Sequence, residues 1–249
     1  MEGSRMLRNS QIIILGICIA VATIVSSVIL SQGFLKVMKF TREVISVTGS
    51  AQKDIKSDYA VWSGSFSRRE PSLNLAYKAL QDDLSKVRSY LINQGASENE
   101  VVTTPINTET IYKKNDKGND TNDIEAYRLS QSVEIHSKDV DKVTQLSRQS
   151  TELINQGVEF TSFSPEYFYT KLDELKIEML ARATENAKQR AQNMAQATGN
   201  KIGFMRSAKM GVFQITPMNS TEVSDYGVND TSSLDKRVTA VVTVSFAIE

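Results

Sequence analysis

The feature that most constrains this chain is an uncharged, strongly apolar segment close to its amino end. No Asp, Glu, Lys, Arg or His occurs between Asn9 and Leu35, and the 19 residues 12–30 are mostly Ile, Val, Leu and Ala. A helix of that length spans about 28 Å, close to the roughly 30 Å hydrocarbon core of a bilayer. The segment therefore predicts one membrane-spanning helix, which we place over residues 10–35.

Two other structures are compatible with the apolar segment, and the surrounding sequence argues against each. A buried core helix would need apolar partners on every side, and the rest of the chain is of ordinary hydrophobicity. A cleaved signal peptide would fit the basic residues Arg5 and Arg8 and the small-x-small sequence at residues 20–22. Because cleavage there would leave the mostly apolar residues 23–30 as a new terminus, retention as a signal anchor is favoured.

The composition beyond the anchor is that of a folded domain. Of 249 residues, 40% are hydrophobic and 23% are charged, which excludes a long disordered chain. The 29 basic and 29 acidic side chains offer no general basic field for nucleic acid. We expect a tail over residues 1–9, the anchor over 10–35, a connector over 36–42 and a folded domain over 43–249. The only cysteine, Cys18, lies in the anchor, so no disulfide is expected.

Hydrophobic periodicity predicts an α+β domain with mostly antiparallel strands in the order ββαββαβαββ. Alternation of apolar and polar residues predicts strands over residues 43–51, 55–69, 101–113, 124–137, 158–164, 202–217 and 236–249. Apolar residues three and four positions apart predict helices over residues 72–94, 139–156 and 171–198. A polar turn over residues 115–123 and a long loop over residues 219–235 complete the domain. In the last predicted helix the buried stripe is rich in alanine, which permits close approach to a packing partner.

Three stretches of this domain carry a resemblance to a known family. They are the opening strand at residues 44–51, the strand at residues 127–135 with its following helix to residue 157, and the end of the alanine-rich helix at residues 195–203. In order and coverage they resemble the SIMPL-domain family, over about residues 43–249. One departure is that Ser57-Asp58 stands where many members have Pro-Asp before the second strand.

The resemblance implies an exported or membrane-attached protein of the kind abundant in bacterial envelopes. It also implies a tendency to assemble into rings, links to oxidative or envelope stress, and no established catalytic residues. The globular part would lie outside the cytoplasm, a point that the charges leave open. Arg5 and Arg8 flank one side of the anchor, whereas Lys36, Lys39 and Arg42 flank the other.

The residues that carry common chemistries are scarce, and we predict no catalytic, cofactor-binding or metal-binding residue. The only histidine, His136, falls on the predicted wet face of its strand, which argues against a Ser-His-acid triad. The short metal, phosphate and dinucleotide motifs are absent from the sequence. Asp116, Asp120 and Asp123 could approach a calcium ion, but they lack the glycine and closing glutamate of a calcium loop. We therefore expect a solvated hairpin tip there.

Neighbouring carboxylates on the predicted helices are interpreted as solvated faces, because adjacent helical residues do not face each other. These are the pairs Asp82-Asp83 and Asp173-Glu174.

A modest basic cluster lies around the end of the third helix and lacks the interleaved aromatic residues of a nucleic-acid site. It consists of Lys188, Arg190, Lys201 and Arg206. The aromatic segment 163–169 is interpreted as core, with a contact to a neighbouring subunit as the alternative.

Three functions from different classes remain. The favoured one is a scaffold or binding protein of the cell envelope, held by its anchor in the bacterial inner membrane with its domain in the periplasm. It would self-assemble into a homo-oligomer, of which a ring is one form. The alternatives are a hydrolase that uses carboxylates such as Asp58 or Asp123, and a signalling adaptor that faces the cytoplasm.

Overall fold

The computed structural model describes residues 15–34 and 43–249. The expected tail over residues 1–9, the first residues of the anchor and the connector over residues 36–42 lie outside the described residues. The anchor that is described forms helix α1 over Leu15–Phe34, and every residue of this helix is exposed. An apolar helix therefore precedes the folded part, as predicted.

Residues 43–249 form a mixed α+β fold with mostly antiparallel sheets, which confirms the predicted class. The helices are α2 (Leu73–Asn93), α3 (Val140–Gln149) and α4 (Leu172–Ala197), with short 3-10 helices over Glu98–Glu100 and Ser150–Gln156. The strands are β1 (Val44–Lys56), β2 (Tyr59–Glu70), β3 (Val101–Thr103), β4 (Asn107–Lys114), β5 (Asp120–Ser137), β6 (Glu159–Ser162), β7 (Glu166–Phe168), β8 (Ile202–Met210), β9 (Gln214–Pro217), β10 (Val228–Asn229) and β11 (Asp235–Ile248).

The strand boundaries differ from the sequence prediction at several places. The strand predicted over residues 202–217 is two strands, β8 and β9, because Gly211 interrupts it. The loop predicted over residues 219–235 contains β10, which pairs with β9 in parallel. The predicted helix over residues 139–156 ends as an α-helix at Gln149 and continues as a 3-10 helix.

The chain divides into two compact units. Of the described residues, unit 1 comprises 15–34, 43–51, Leu180–Gly211 and Val241–Glu249, and unit 2 comprises Gln52–Met179 and Val212–Ala240. The elements β1, α4 and β11 each contribute residues to both units. Neither unit is therefore a continuous stretch of chain, and each depends on contacts between residues far apart in sequence.

Unit 2 is built on a six-stranded antiparallel sheet in which β5 and β2 are the central strands. Helices α2 and α3 pack against these two strands, and the core lies between helices and sheet. The inward residues follow the predicted alternation. They are Ala60, Trp62 and Phe66 on β2, and Leu129, Val133 and Ile135 on β5, each at most 2% exposed. Large apolar side chains at every second position thus fix the register of this ladder.

Unit 1 is built on three strands and the second part of α4. Strand β11 contacts β1 on one side and β8 on the other. The helix packs on β1, where Gly49 lies against the backbone of Ala183 and Ala187. The alanine stripe Ala183, Ala187, Ala191 and Ala195 is at most 3% exposed. Small residues on both partners therefore allow the helix to approach the strand closely, as the alanine pattern predicted.

Gly49→Ala tests this close approach. A Cβ at residue 49 would lie 2.2 Å from the carbonyl oxygen of Ala183 and 2.4 Å from the amide nitrogen of Ala187. Because backbone atoms of a helix cannot yield as a flexible side chain can, we expect a loss of about 2–3 kcal/mol in the free energy of unfolding. Urea unfolding of the detergent-extracted full chain, followed by circular dichroism, measures it. Gly33→Ala is the matched control, since a Cβ there meets nothing within 4 Å. Equal midpoints for the two variants would refute the contact.

Candidate functional site

The first candidate site is α1 itself. It has 20 residues and a mean hydropathy of 2.1, and its length and composition are sufficient to cross a bilayer as an anchor or a signal sequence. Its ten largest apolar side chains are between 49% and 73% exposed. Cys18 is also exposed on this helix, and its thiol is free. The helix offers an apolar surface on all sides, which is the property that a lipid environment accepts.

The second candidate site is the edge strand β8 of unit 1. Because β8 pairs only with β11 within the described residues, the backbone groups on its other side have no strand partner there. From residue 204 to residue 210 every position of the strand is exposed. An exposed strand edge is a template for pairing with another chain.

The side chains of β8 add an apolar surface to this edge. Phe204 is 77% exposed and Met210 is 55% exposed. Met210 and Ala208 lie opposite Val242 and Val244 of β11, whose side chains are buried. Since opposite residues of paired strands point to the same face, the apolar face of β11 continues onto β8 without cover.

The carboxylates suggested for a hydrolase are not brought together. Both carboxylate oxygens of Asp58 accept hydrogen bonds from Thr170, one from its backbone N–H at 2.7 Å and one from its hydroxyl at 2.8 Å. Asp123 lies exposed near the start of β5. The β2–β5 ladder separates the two residues by ten or more residue steps, about 33 Å. Paired catalytic carboxylates lie within about 10 Å of each other, so these two cannot act on one bond.

Metal-ligating side chains show no clustering in the described ranges. Across residues 15–34 and 43–249, no three His, Cys, Asp or Glu side chains gather at a distance that could hold a metal ion. His136 is partly exposed, and its Nε2 lies 3.0 Å from a carboxylate oxygen of Glu134. That arrangement is a surface pair on one strand, and it provides no nucleophile.

Asp83 corrects the sequence interpretation of a solvated helix face. It is 0% exposed, whereas its neighbour Asp82 is exposed as expected. The guanidinium of Arg68 binds the Asp83 carboxylate through two nitrogens, with Nη2 donating to Oδ1 at 2.8 Å. The same Nη2 donates to the carbonyl oxygen of Gly157 at 2.6 Å. The hydrogen bond with Asp83 raises the pKa of the Arg68 guanidinium.

Glu100, a carboxylate whose pKa is lowered, also serves the fold. Burial opposes ionisation of Glu100, but hydrogen bonds from the Ser137 hydroxyl, the Ser97 backbone N–H and the Lys142 ammonium lower its pKa to about 2. These donors close the capping box of the first 3-10 helix and tie it to α3. The lowered pKa of Glu100 therefore results from structural contacts and does not indicate a catalytic acid or base.

The basic cluster lies at the surface, as the sequence predicted. Lys188, Arg190, Lys201 and Arg206 are all exposed, and Arg190 donates to the carbonyl oxygen of Thr48 at 3.1 Å.

In the aromatic segment Tyr167 is buried as predicted, and its hydroxyl lies 2.9 Å from that of Thr144. Phe163 is 48% exposed, so the core interpretation is wrong for this residue. Its ring remains available to a ligand or to another protein.

Sequence reasoning missed the exposure of β8, although a signal was present. Phe204 and Met205 are adjacent apolar residues, which place large side chains on both faces of one strand. A strand with one buried face would alternate. Apolar side chains on both faces of β8 therefore indicated one of two structures. The strand could be buried on both faces or, as the structure shows, it could be an edge strand with exposed apolar side chains.

Comparisons with known proteins identify a family match and little structural likeness. The model of one family, SIMPL, described as a protein of unknown function (DUF541), matches residues 45–246. That description assigns no enzymatic activity. A search of curated proteins found no match.

Among solved structures, similarity was found to amidases of the hydantoinase/carbamoylase family. The one from Burkholderia phymatum is 8% identical with a TM-score of 0.27, over 54% of this chain and 34% of that chain. The one from Burkholderia multivorans is 12% identical with a TM-score of 0.25, over 49% of this chain and 29% of that chain. This chain thus spans about a third of the length of those enzymes. Similarity at this level supports no conclusion about fold or activity.

Asp83→Asn tests the ion pair between Arg68 and the buried Asp83. The substitution removes the negative charge that neutralises Arg68, and because water reaches the 31% exposed Arg68 side chain, we expect a loss of about 1–2 kcal/mol of unfolding free energy, less than for a fully buried pair. Asp82→Asn is the matched control, because it makes the same chemical change at the next residue in an exposed position, where we expect an effect within about 0.5 kcal/mol. Chemical denaturation of both variants at neutral pH measures the difference. Equal unfolding free energies for the two variants would show that the ion pair between Arg68 and Asp83 does not stabilise the fold.

Proposed function

Because the chain belongs to the SIMPL family and begins its described part with a fully exposed apolar helix, we propose that it is a single-pass scaffold or binding protein of the bacterial inner membrane. In this proposal residues 10–35 are the anchor, residues 36–42 are a connector, and residues 43–249 lie in the periplasm. The observation that carries it is the complete exposure of α1. No protein surface in the described chain covers this helix. A lipid bilayer would cover its apolar side chains.

Self-association through β8 is the second part of the proposal, and its occupant is a second copy of the chain. Each copy offers two sheet edges in unit 1, β8 on one side of β11 and β1 on the other. Pairing of β8 with β1 of the next copy would be heterologous, and such contacts form rings where the rotation closes. The exposed side chains of Phe204 and Met210 would then gain apolar contacts.

The physiological role that we propose is in envelope or oxidative stress, and it follows from the family resemblance. A binding role is supported by the hydrogen bonds of both Asp58 carboxylate oxygens to Thr170 and by the structural contacts of Glu100. We propose neither a cofactor nor a nucleic-acid partner. The bilayer and further copies of this chain are the partners that the described surfaces fit.

Labelling of an exposed cysteine tests the orientation. Tyr226 is 98% exposed, so Tyr226→Cys in a Cys18→Ser background gives one reactive thiol on the folded part. We expect a membrane-impermeant maleimide to label it in cells whose outer membrane has been permeabilised and whose inner membrane is intact. Ser150→Cys, at a position that is 0% exposed, is the control that should stay unlabelled. Labelling of Tyr226→Cys only after the inner membrane is lysed would place the folded part in the cytoplasm and support the signalling adaptor.

A charge on the edge strand tests the assembly. Phe204→Glu introduces a carboxylate at the proposed contact, where burial without a partner is unfavourable, and we expect an oligomer to dissociate into smaller species. Val223→Glu is matched in exposure, 78% against 77%, and lies outside β8. Light scattering on the detergent-extracted full chain reports the mass of each. A monomeric parent protein, or equal masses for the two variants, would contradict assembly through β8.

A further inference from the structure

An open cavity of about 550 Å³ is lined by residues of unit 2. Its walls come from three places in the sequence. Thr144, Ser147 and Arg148 lie on α3, Phe163 and Tyr167 lie on or beside β6 and β7, and Ser232 precedes β11. The volume is within the range of pockets that hold small organic ligands.

Hydrogen bonds hold the Tyr167 side of the cavity in place. The backbone N–H of Tyr167 donates to the carbonyl oxygen of Thr231 at 2.7 Å, and its hydroxyl lies 2.9 Å from that of Thr144. Behind it Lys236, which is 2% exposed, donates from Nζ to the carbonyl oxygen of Tyr167 at 2.6 Å. Burial lowers the pKa of this ammonium, and the charge of Asp230 opposes that change.

Ser162 fixes a second part of the cavity lining. Its hydroxyl donates to the carbonyl oxygen of Ser147 at 2.7 Å and accepts from the indole N–H of Trp62 at 3.0 Å. Two strands and a helix are thereby joined around the space. A ligand would enter a site that is already formed and would spend little free energy on ordering it.

The single positive charge at the cavity, on Arg148, favours an anionic ligand. Arg148 is the one charged residue among those that line it, and no carboxylate faces it there. In the described parts of the chain the Arg148 guanidinium makes no ion pair and no side-chain hydrogen bond. A guanidinium without a partner offers a planar fork of donors that matches a carboxylate.

The apolar part of the wall selects the rest of the ligand. Phe163 is 48% exposed at the cavity, and Pro165 and Tyr167 lie beside it in the sequence and in the lining. Aromatic and proline side chains bind flat apolar groups. A single Arg supplies one fork, which satisfies a carboxylate more fully than the three oxygens of a phosphate.

We propose that this cavity binds a small organic carboxylate, with its carboxylate on Arg148 and its flat apolar part against Phe163. The site is independent of the edge strand and of the proposed scaffold role. Through this site the folded part would recognise a small organic carboxylate.

Titration with benzoate tests the proposal on the detergent-extracted full chain. Trp62 is the only tryptophan, and its indole N–H is bonded to the cavity residue Ser162, so its single NMR signal reports occupancy. We expect a saturable shift with benzoate. Benzamide, which has the same shape without the charge, should bind at least tenfold more weakly, because hydrogen bonds to charged groups contribute more.

Two variants assign the binding to the proposed groups. Arg148→Gln should weaken benzoate binding about tenfold or more, and Phe163→Ala should weaken it several-fold. Arg88→Gln removes the same charge from α2 outside the cavity and should bind as the parent does. Because Arg148 is exposed, its variant should keep the parent's unfolding midpoint, which the same samples can show.

The proposal would be overturned by the absence of a saturable benzoate shift, by equal affinities for benzoate and benzamide, or by parent-like affinity in Arg148→Gln. Inorganic phosphate that competes as well as benzoate would show that the apolar wall plays no part, and would also reject the proposed ligand class.

Discussion

The exposed apolar surface of α1 is the constraint on which the account of this protein depends. Ten large apolar side chains on this helix are about half exposed or more. Full burial of one such side chain is worth about 1.5–3 kcal/mol, and because each is only about half exposed in the helix, transfer of all ten out of water is worth on the order of 10 kcal/mol. That free energy exceeds the stability of many whole domains. The helix therefore determines where the chain resides before any property of the folded part is considered.

The folded part is stabilised by contacts between distant parts of the sequence. In unit 1 the close approach of Gly49 to Ala183 and Ala187 joins the first strand to the last helix. In unit 2 the ion pair between Arg68 and Asp83 joins β2 to α2 in the core. Within the described residues, the edge of β8 and the cavity beside Arg148 take no part in these contacts. We propose that a second copy of the chain covers the edge and that a small organic carboxylate binds in the cavity.

Much of this fold could be predicted from local pattern, and the failures have a common cause. The alternation at Trp62, Phe66, Val133 and Ile135 predicted the central strands correctly, because both faces of that sheet differ in environment. The prediction that Asp83 is exposed was wrong because its partner Arg68 lies on another element, β2, and the periodicity of a helix does not reveal such a partner. A signal did exist, since Asp83 stands three residues after Leu80 on the buried stripe of α2.

The cavity could not have been predicted from the sequence. Its residues come from α3, from the β6–β7 segment and from the chain before β11, and only packing brings them together. The aromatic segment around Phe163 was visible as a pattern, but its exposed half and the unpaired Arg148 were not. The sequence favoured a binding protein but indicated no binding site, because the groups that line the cavity are far apart in sequence.

The most direct test of membrane anchorage is the mass and location of the chain in cells. Membranes washed at alkaline pH, which releases peripheral proteins, should retain the uncleaved chain, with the apolar segment 12–30 present in its peptide map. Recovery in the soluble fraction of a shorter chain that begins after residue 22 would show that the helix is a cleaved signal sequence and would contradict the anchored state.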